Sequence, residues 1–157
     1  MNFEQFAGAK PTSSRHPYLT GGGTYEVVVK SIQEMKRTSP TVSEKIVVEM
    51  VVESAKADDA TAVINAPETT AVAIFDSMTD MGRGNFMAFL NALAGENLVG
   101  KVAGIKKAVE IAPGSRIKVN ARKTLTKKGT DFTVLNWENL PNDAESLKAN
   151  RKKYNLG

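Results

Sequence analysis

Apolar and polar positions alternate with period two through much of this chain, and the places where the period changes divide it into elements. Thr24 to Ile32, T-Y-E-V-V-V-K-S-I, is rich enough in β-branched and aromatic residues to predict a first strand. Lys45 to Glu53 predicts a second, with Ile46, Val48, Met50 and Val52 on one face and Val47, Glu49, Val51 and Glu53 on the other. A polar loop from Gln33 to Ser43 joins the two as an antiparallel hairpin. An Ala-, Asp- and Thr-rich loop over 54–69 leads to a third strand, Thr70 to Phe75. The period then lengthens. Phe86, Phe89, Leu90 and Leu93 recur at i, i+3, i+4 and i+7, so Asn85 to Ala94 reads as an amphipathic helix with Gly95 at its C′ position. Leu98, Val102, Ile105 and Val109 fit a second helical stripe, which Gly100 and Gly104 weaken.

Period two returns from Arg116 to Trp137. Ile117, Val119, Ala121 and Leu125 share one parity; Lys118, Asn120, Arg122, Thr124 and Thr126 share the other. Lys127-Lys128-Gly129-Thr130 supplies a turn, so the segment predicts a hairpin with an apolar face and a cationic face. If Phe132 and Val134 continue the apolar face, then Leu135 and Trp137 lie beside the cations. Cations neutralise phosphates and an aromatic plane stacks a base, which is the chemistry of a single-stranded nucleic acid binder. The same residues also fit a second arrangement, with Leu135 and Trp137 in the core and the cations on a solvated edge.

Charge sharpens this picture. The net charge is only +4 over 157 residues, but it is unevenly spread. From Glu44 to Asp80 there are eight acidic and two basic residues, whereas Arg116 to Lys128 holds six basic and no acidic ones. Such a dipolar chain suits a polyanion on one side, or head-to-tail contacts between copies. Cysteine is absent, which excludes disulfides, thiol catalysis and Cys-built zinc or iron–sulfur sites. His16 is the sole histidine and sits in a polar lead-in, S-S-R-H-P, where an exposed loop position is expected. Asp58/Asp59 and Asp76/Asp80 lack calcium-loop spacing, and no nucleophile has an identifiable base, so no cofactor, metal or enzymatic activity is expected. Met81-Gly82-Arg83-Gly84 before the helix reads as a tight turn needing two glycines; it lacks the spacing of a phosphate-binding loop. No run is apolar enough to cross a membrane, and Met1 to Phe6 lacks the pattern of a signal peptide, so the expected setting is cytoplasmic.

Size and breaker residues suggest a three-part plan: an N-terminal arm over 1–23 carrying Phe3 and Phe6 and ending in a flexible Gly21-Gly22-Gly23 joint; a domain over 24–140; and a basic tail over 141–157, beginning as a helix capped by Asn142 or Asp143. Five antiparallel strands, with one main helix between the third and fourth, is the order of an OB-type β-barrel. In such a barrel the first hairpin loop and the loop between strands four and five flank the ligand groove. Here these loops carry Lys36, Arg37 and Lys45, and Lys127 and Lys128.

Four strings resemble the phage-encoded single-stranded-DNA-binding-like proteins of OB-like fold. They are L-T-G-G-G-T-Y-E-V-V-V-K-S-I from Leu19, E-K-I-V-V-E-M-V-V-E-S from Glu44, G-N-F-M-A-F-L-N-A-L-A-G from Gly84, and V-N-A-R-K-T-L-T-K-K-G-T-D-F-T-V-L-N-W from Val119. The likeness spans residues 18 to 140. It implies sequence-tolerant binding of single-stranded DNA in phage replication or recombination, in the host cytoplasm. Lys118, Arg122, Lys127 and Lys128 would meet phosphates, Asn120 would bond a base, Trp137 would stack one, and Lys36, Arg37 and Lys45 would close the groove. Many such binders end in an acidic tail, whereas this chain ends N-R-K-K-Y-N-L-G. The alternative is a phage structural or assembly protein, with the arm or the tail making homo-oligomer contacts.

Overall fold

The computed structural model describes residues 16–37 and 39–156. The Phe3/Phe6 part of the expected arm lies outside them. The elements are β1 (Gly23–Met35), β2 (Lys45–Ala57), β3 (Thr70–Asp76), α1 (Asp80–Ala94), α2 (Val102–Ile111), β4 (Arg116–Leu125), β5 (Asp131–Asn139) and α3 (Ala144–Lys153). The protein is mainly β, with one five-stranded antiparallel sheet in the order β3-β2-β1-β4-β5. No helix among the described residues is long and apolar enough to cross a membrane.

Alternation sets the faces. Tyr25, Val27 and Val29 of β1, Val48, Met50 and Val52 of β2, Ala71, Ala73 and Phe75 of β3, and Ile117, Val119 and Ala121 of β4 form one buried cluster. Two register shifts keep that face apolar along the thirteen-residue β1. An extra residue at Glu53 lets Val52 and Ala55 both oppose core residues of β1, and an extra residue at Lys30 does the same for Val29 and Ile32. Such shifts also bend a sheet. Here the bending brings Phe75 of one edge strand and Trp137 of the other within 6.3 Å, centroid to centroid.

Three expectations need correction. The sheet curls but does not close, since β3 and β5 are its two unpaired ends. On the β3 edge, Val72 donates its N–H to Pro17 and Tyr18 forms a parallel bridge to Val72. Leu19, 2% exposed, enters the core beside this seam. Residues 16–22 are therefore packed, and the glycines serve close approach: a Cβ on Gly21 would stand 2.6 Å from Lys123 Cγ, and Gly22 has φ +99°.

The helices also differ from the expected single one. α1 and α2 both lie between β3 and β4, and α3 follows β5. α1 begins five residues before Asn85, because Thr79 caps it by accepting the Gly82 N–H. Gly82 is then a buried helical residue whose missing Cβ leaves room for the Asp76 carbonyl, not a turn glycine. α1 packs on both β3 and β5, and Gly95 ends it with φ +70° and a bond to the Asn91 carbonyl, the expected left-handed cap. α3 carries a capping box between Asp143 and Ser146. It is fastened to the turn before β4 by Asn150 to the Gly114 carbonyl and Arg151 to the Pro113 carbonyl, and to β2 by the Tyr154 hydroxyl to Glu53.

Candidate nucleic-acid interface

The β4–β5 hairpin positions most of the residues singled out from the sequence. Leu125 pairs with Asp131, and the ladder runs without a shift through Arg122↔Val134, Ala121↔Leu135 and Val119↔Trp137 to Ile117↔Asn139. Opposed residues in a ladder share a face. Leu135 and Trp137 therefore share the core face of Val119 and Ala121. Trp137 meets Phe89 edge to face at 4.9 Å, with the planes at 70°. The sequence reading that put Trp137 beside Lys118 and Arg122 is corrected here. The five residues Thr126 to Thr130 set the pairing, closed by Thr126 N–H to the Thr130 carbonyl and Gly129 N–H to the Thr126 carbonyl, with Gly129 at φ +78°. A pairing offset by one residue would have exchanged the two faces of β5.

That exchange brings another aromatic to the cationic face. Phe132 stands opposite Thr124 and one pleat from Val134, the partner of Arg122; it is 45% exposed. Beyond Ala121 and Leu135 the hairpin leaves the core. Leu125, on the core parity, is 64% exposed, and Arg122, Lys123, Lys127 and Lys128 are all exposed. None of these four cations lies within ion-pair distance of a carboxylate among the described residues. The outcome is an exposed two-stranded ribbon that carries cations on both faces and one exposed ring. Lys123 and Phe132 were not picked out as site residues. Counting five loop residues after Leu125 is the signal that selects Phe132.

Nearer the body of the sheet the expected residues are engaged. Lys118 lies 3.6 Å from Glu138, and Asn120 donates to the Thr24 hydroxyl at 2.9 Å. The outer face of β1 and β2 is acidic as well as basic: Arg116 is held between Glu26 and Glu53, and Glu49 receives His16 at 2.9 Å. His16 is thus docked on the sheet instead of standing free in a loop.

The first hairpin loop does not join the ribbon. Lys36 pairs with Glu34 at 3.3 Å, Arg37 donates to the carbonyls of Pro40 and Ser39, and Lys45 pairs with Asp76 at 3.1 Å. The Met78 N–H, with help from Lys45, holds the Asp76 carboxyl below its ordinary value. This loop leaves β1 at Met35, while the ribbon starts beyond Gly23, the partner of Ala121. About 40 Å of strand contour separates the two, at ~3.3 Å per residue. The structure therefore brings Arg122, Lys127 and Lys128 to the end of the hairpin that carries Phe132, with Lys123 on its other face. It leaves Lys36, Arg37 and Lys45 at the opposite end and Trp137 half-buried against the core.

Among the described residues no three His, Cys, Asp or Glu side chains converge on a possible metal position. No protein-family model matches the chain, and no curated protein matches it.

Proposed function

We propose that this protein binds single-stranded DNA without sequence preference, on an OB-like sheet left open between its third and fifth strands, through the β4–β5 ribbon. The observation that carries the reading is the ribbon itself. Arg122, on the face of Phe132, and Lys127 and Lys128 of the connecting turn project near its exposed ring with no ion pair among the described residues, and Lys123 adds a cation on the other face of the same ribbon. Cations along a two-stranded arm follow a phosphate backbone by neutralising it, and a single exposed ring stacks any base, because every base offers a π-face. Duplex DNA buries those faces, so single strands are preferred. The protein acts by binding and not by catalysis. On the resemblance drawn from its sequence, its setting is phage DNA replication or recombination.

The test is a titration of the protein with single-stranded and duplex oligonucleotides of the same sequence across a series of salt concentrations. Four phosphate contacts should give a log-affinity slope against log salt of about −3 for single strands, from ~0.7 per contact. Absence of binding at low salt, or tighter binding to duplex, refutes the reading.

A further inference from the structure

A second cationic surface lies where α3 meets the end of α2, away from the ribbon. A groove of about 520 Å³ opens there. Its floor is aliphatic, formed by Ile111 of α2, Ala144 and Leu147 of α3, and Leu156, which folds back after the helix with its N–H on the Arg151 carbonyl. Its rim holds Lys148, Arg151 and Lys152, and among the described residues no carboxylate lines it. The spacing explains the arrangement. Ala144, Leu147, Lys148, Arg151, Lys152 and Asn155 recur at steps of three and four, so one stripe of α3 is apolar at its base and cationic at its margin.

Residues beside this stripe do a different job: Asn150 ties the helix to the turn before β4 at the Gly114 carbonyl, and Tyr154, just past the helix, ties it to Glu53 of β2. Arg151 links the two roles, since its Nε donates to the Pro113 carbonyl at 2.7 Å while its stem borders the groove. Lys148 and Lys152 are exposed, one helical turn apart, and neither lies within ion-pair distance of a carboxylate among the described residues. An aliphatic floor that stays open beneath a uniform cationic rim is a binding surface for a ligand that is apolar and anionic at once.

We propose that this groove docks an acidic peptide segment of a partner protein, one that sets aliphatic side chains on the Ile111–Leu147–Leu156 floor and carboxylates against Lys148 and Lys152. Charge complementarity selects an anionic occupant. The floor selects a peptide over a nucleic acid, because it carries aliphatic side chains and no aromatic plane on which a base could stack. The proposal is independent of the ribbon. A protein with both surfaces would hold its nucleic acid at one end and recruit a partner at the other.

The probe is a short fluorescent peptide alternating aspartate with leucine, titrated into the full chain and followed by polarisation. Lys148→Glu with Lys152→Glu reverses the exposed rim and leaves Arg151 and its clamp on Pro113 untouched; circular dichroism and thermal melting establish that this variant folds. Saturable binding is expected. It should weaken more than about tenfold in the charge-reversed variant, and again when the leucines of the peptide become serine. An excess of oligo(dT) should leave it unchanged. Absence of saturable binding overturns the proposal, as does binding indifferent to the rim charges. Binding indifferent to the leucines means simple charge attraction and also overturns it. Displacement of the peptide by oligo(dT), together with loss of oligo(dT) binding in the variant, would assign the groove to nucleic acid. None of these outcomes depends on Lys127, Lys128 or Phe132, so failure here and failure of the ribbon reading are distinguishable.

Discussion

Trp137 and Phe132 are five residues apart on one strand, yet they face opposite environments. Trp137 packs against Phe89 and Phe75 beneath the sheet, while Phe132 stands in solvent beside the cations. The two substitutions should therefore separate stability from binding. Trp137→Ala should destabilise the fold by ~3–5 kcal/mol, the range for removing a large packed aromatic, and the emission of Trp137 should stay unchanged when oligo(dT) is added. Phe132→Ala should leave the denaturation midpoint in place and weaken single-strand binding by ~1–3 kcal/mol. Quenching of Trp137 by oligonucleotide would contradict both halves. Carboxylates give a second test at this scale. Hydrogen bonds from Met78 and Lys45 lower the pKa of Asp76, and the hydroxyl and amide of Thr61 lower that of Asp59. A carboxyl whose folded pKa lies below its unfolded one adds stability above the unfolded value and loses it as pH falls through the folded value. Acidification below about pH 4 should therefore destabilise the protein, and Asp76→Asn should lose less stability than the parent over the same acid titration.

At the scale of elements, the strands were readable because period two is a strong local signal, and the first three strands fall within a few residues of where alternation puts them. The register of β5 was not readable the same way. It depends on how many residues the Leu125–Asp131 connection uses, and Lys127-Lys128-Gly129-Thr130 is compatible with more than one count. That single uncertainty exchanged Trp137 for Phe132. The start of α1 was hidden for a related reason. Gly82 and Gly84 look like turn residues, and only the tertiary approach of the Asp76 backbone explains a glycine within a helix. This account predicts that Gly82→Ala, which would raise helix propensity in isolation, instead destabilises the protein by about 1–3 kcal/mol through overpacking. Chemical denaturation measures it, and Gly84→Ala is the control, since a Cβ there meets nothing within 4 Å. The capped start of α3 was legible, as Asp143 followed by Ser146 is a local pattern; its docking through Asn150, Arg151 and Tyr154 depends on partners far away in sequence.

Over the whole molecule, charge is sorted by position along the curled sheet. The ribbon at one end carries cations that make no ion pair among the described residues. The middle of the outer face holds Glu26, Glu49 and Glu53 among Arg116 and His16, and the cations of the first loop at the far end are tied to Glu34, Asp76 and backbone carbonyls. The uneven charge was visible in the sequence, but its consequence was not: two basic loops that looked like the walls of one groove lie at opposite ends of β1. A continuous strand of DNA running from one to the other would cross the carboxylates of the middle face, so the proposed site is confined to the ribbon. Charge reversal tests that confinement directly. Lys127→Glu with Lys128→Glu should lower single-strand affinity and flatten the salt slope by about 1.4, from ~0.7 per lost phosphate contact. Lys36→Glu with Arg37→Glu should leave both affinity and slope within error of the parent. If the first-loop pair proves to matter as much as the ribbon pair, the polyanion spans both ends, and the acidic middle face cannot be the barrier that its geometry makes it.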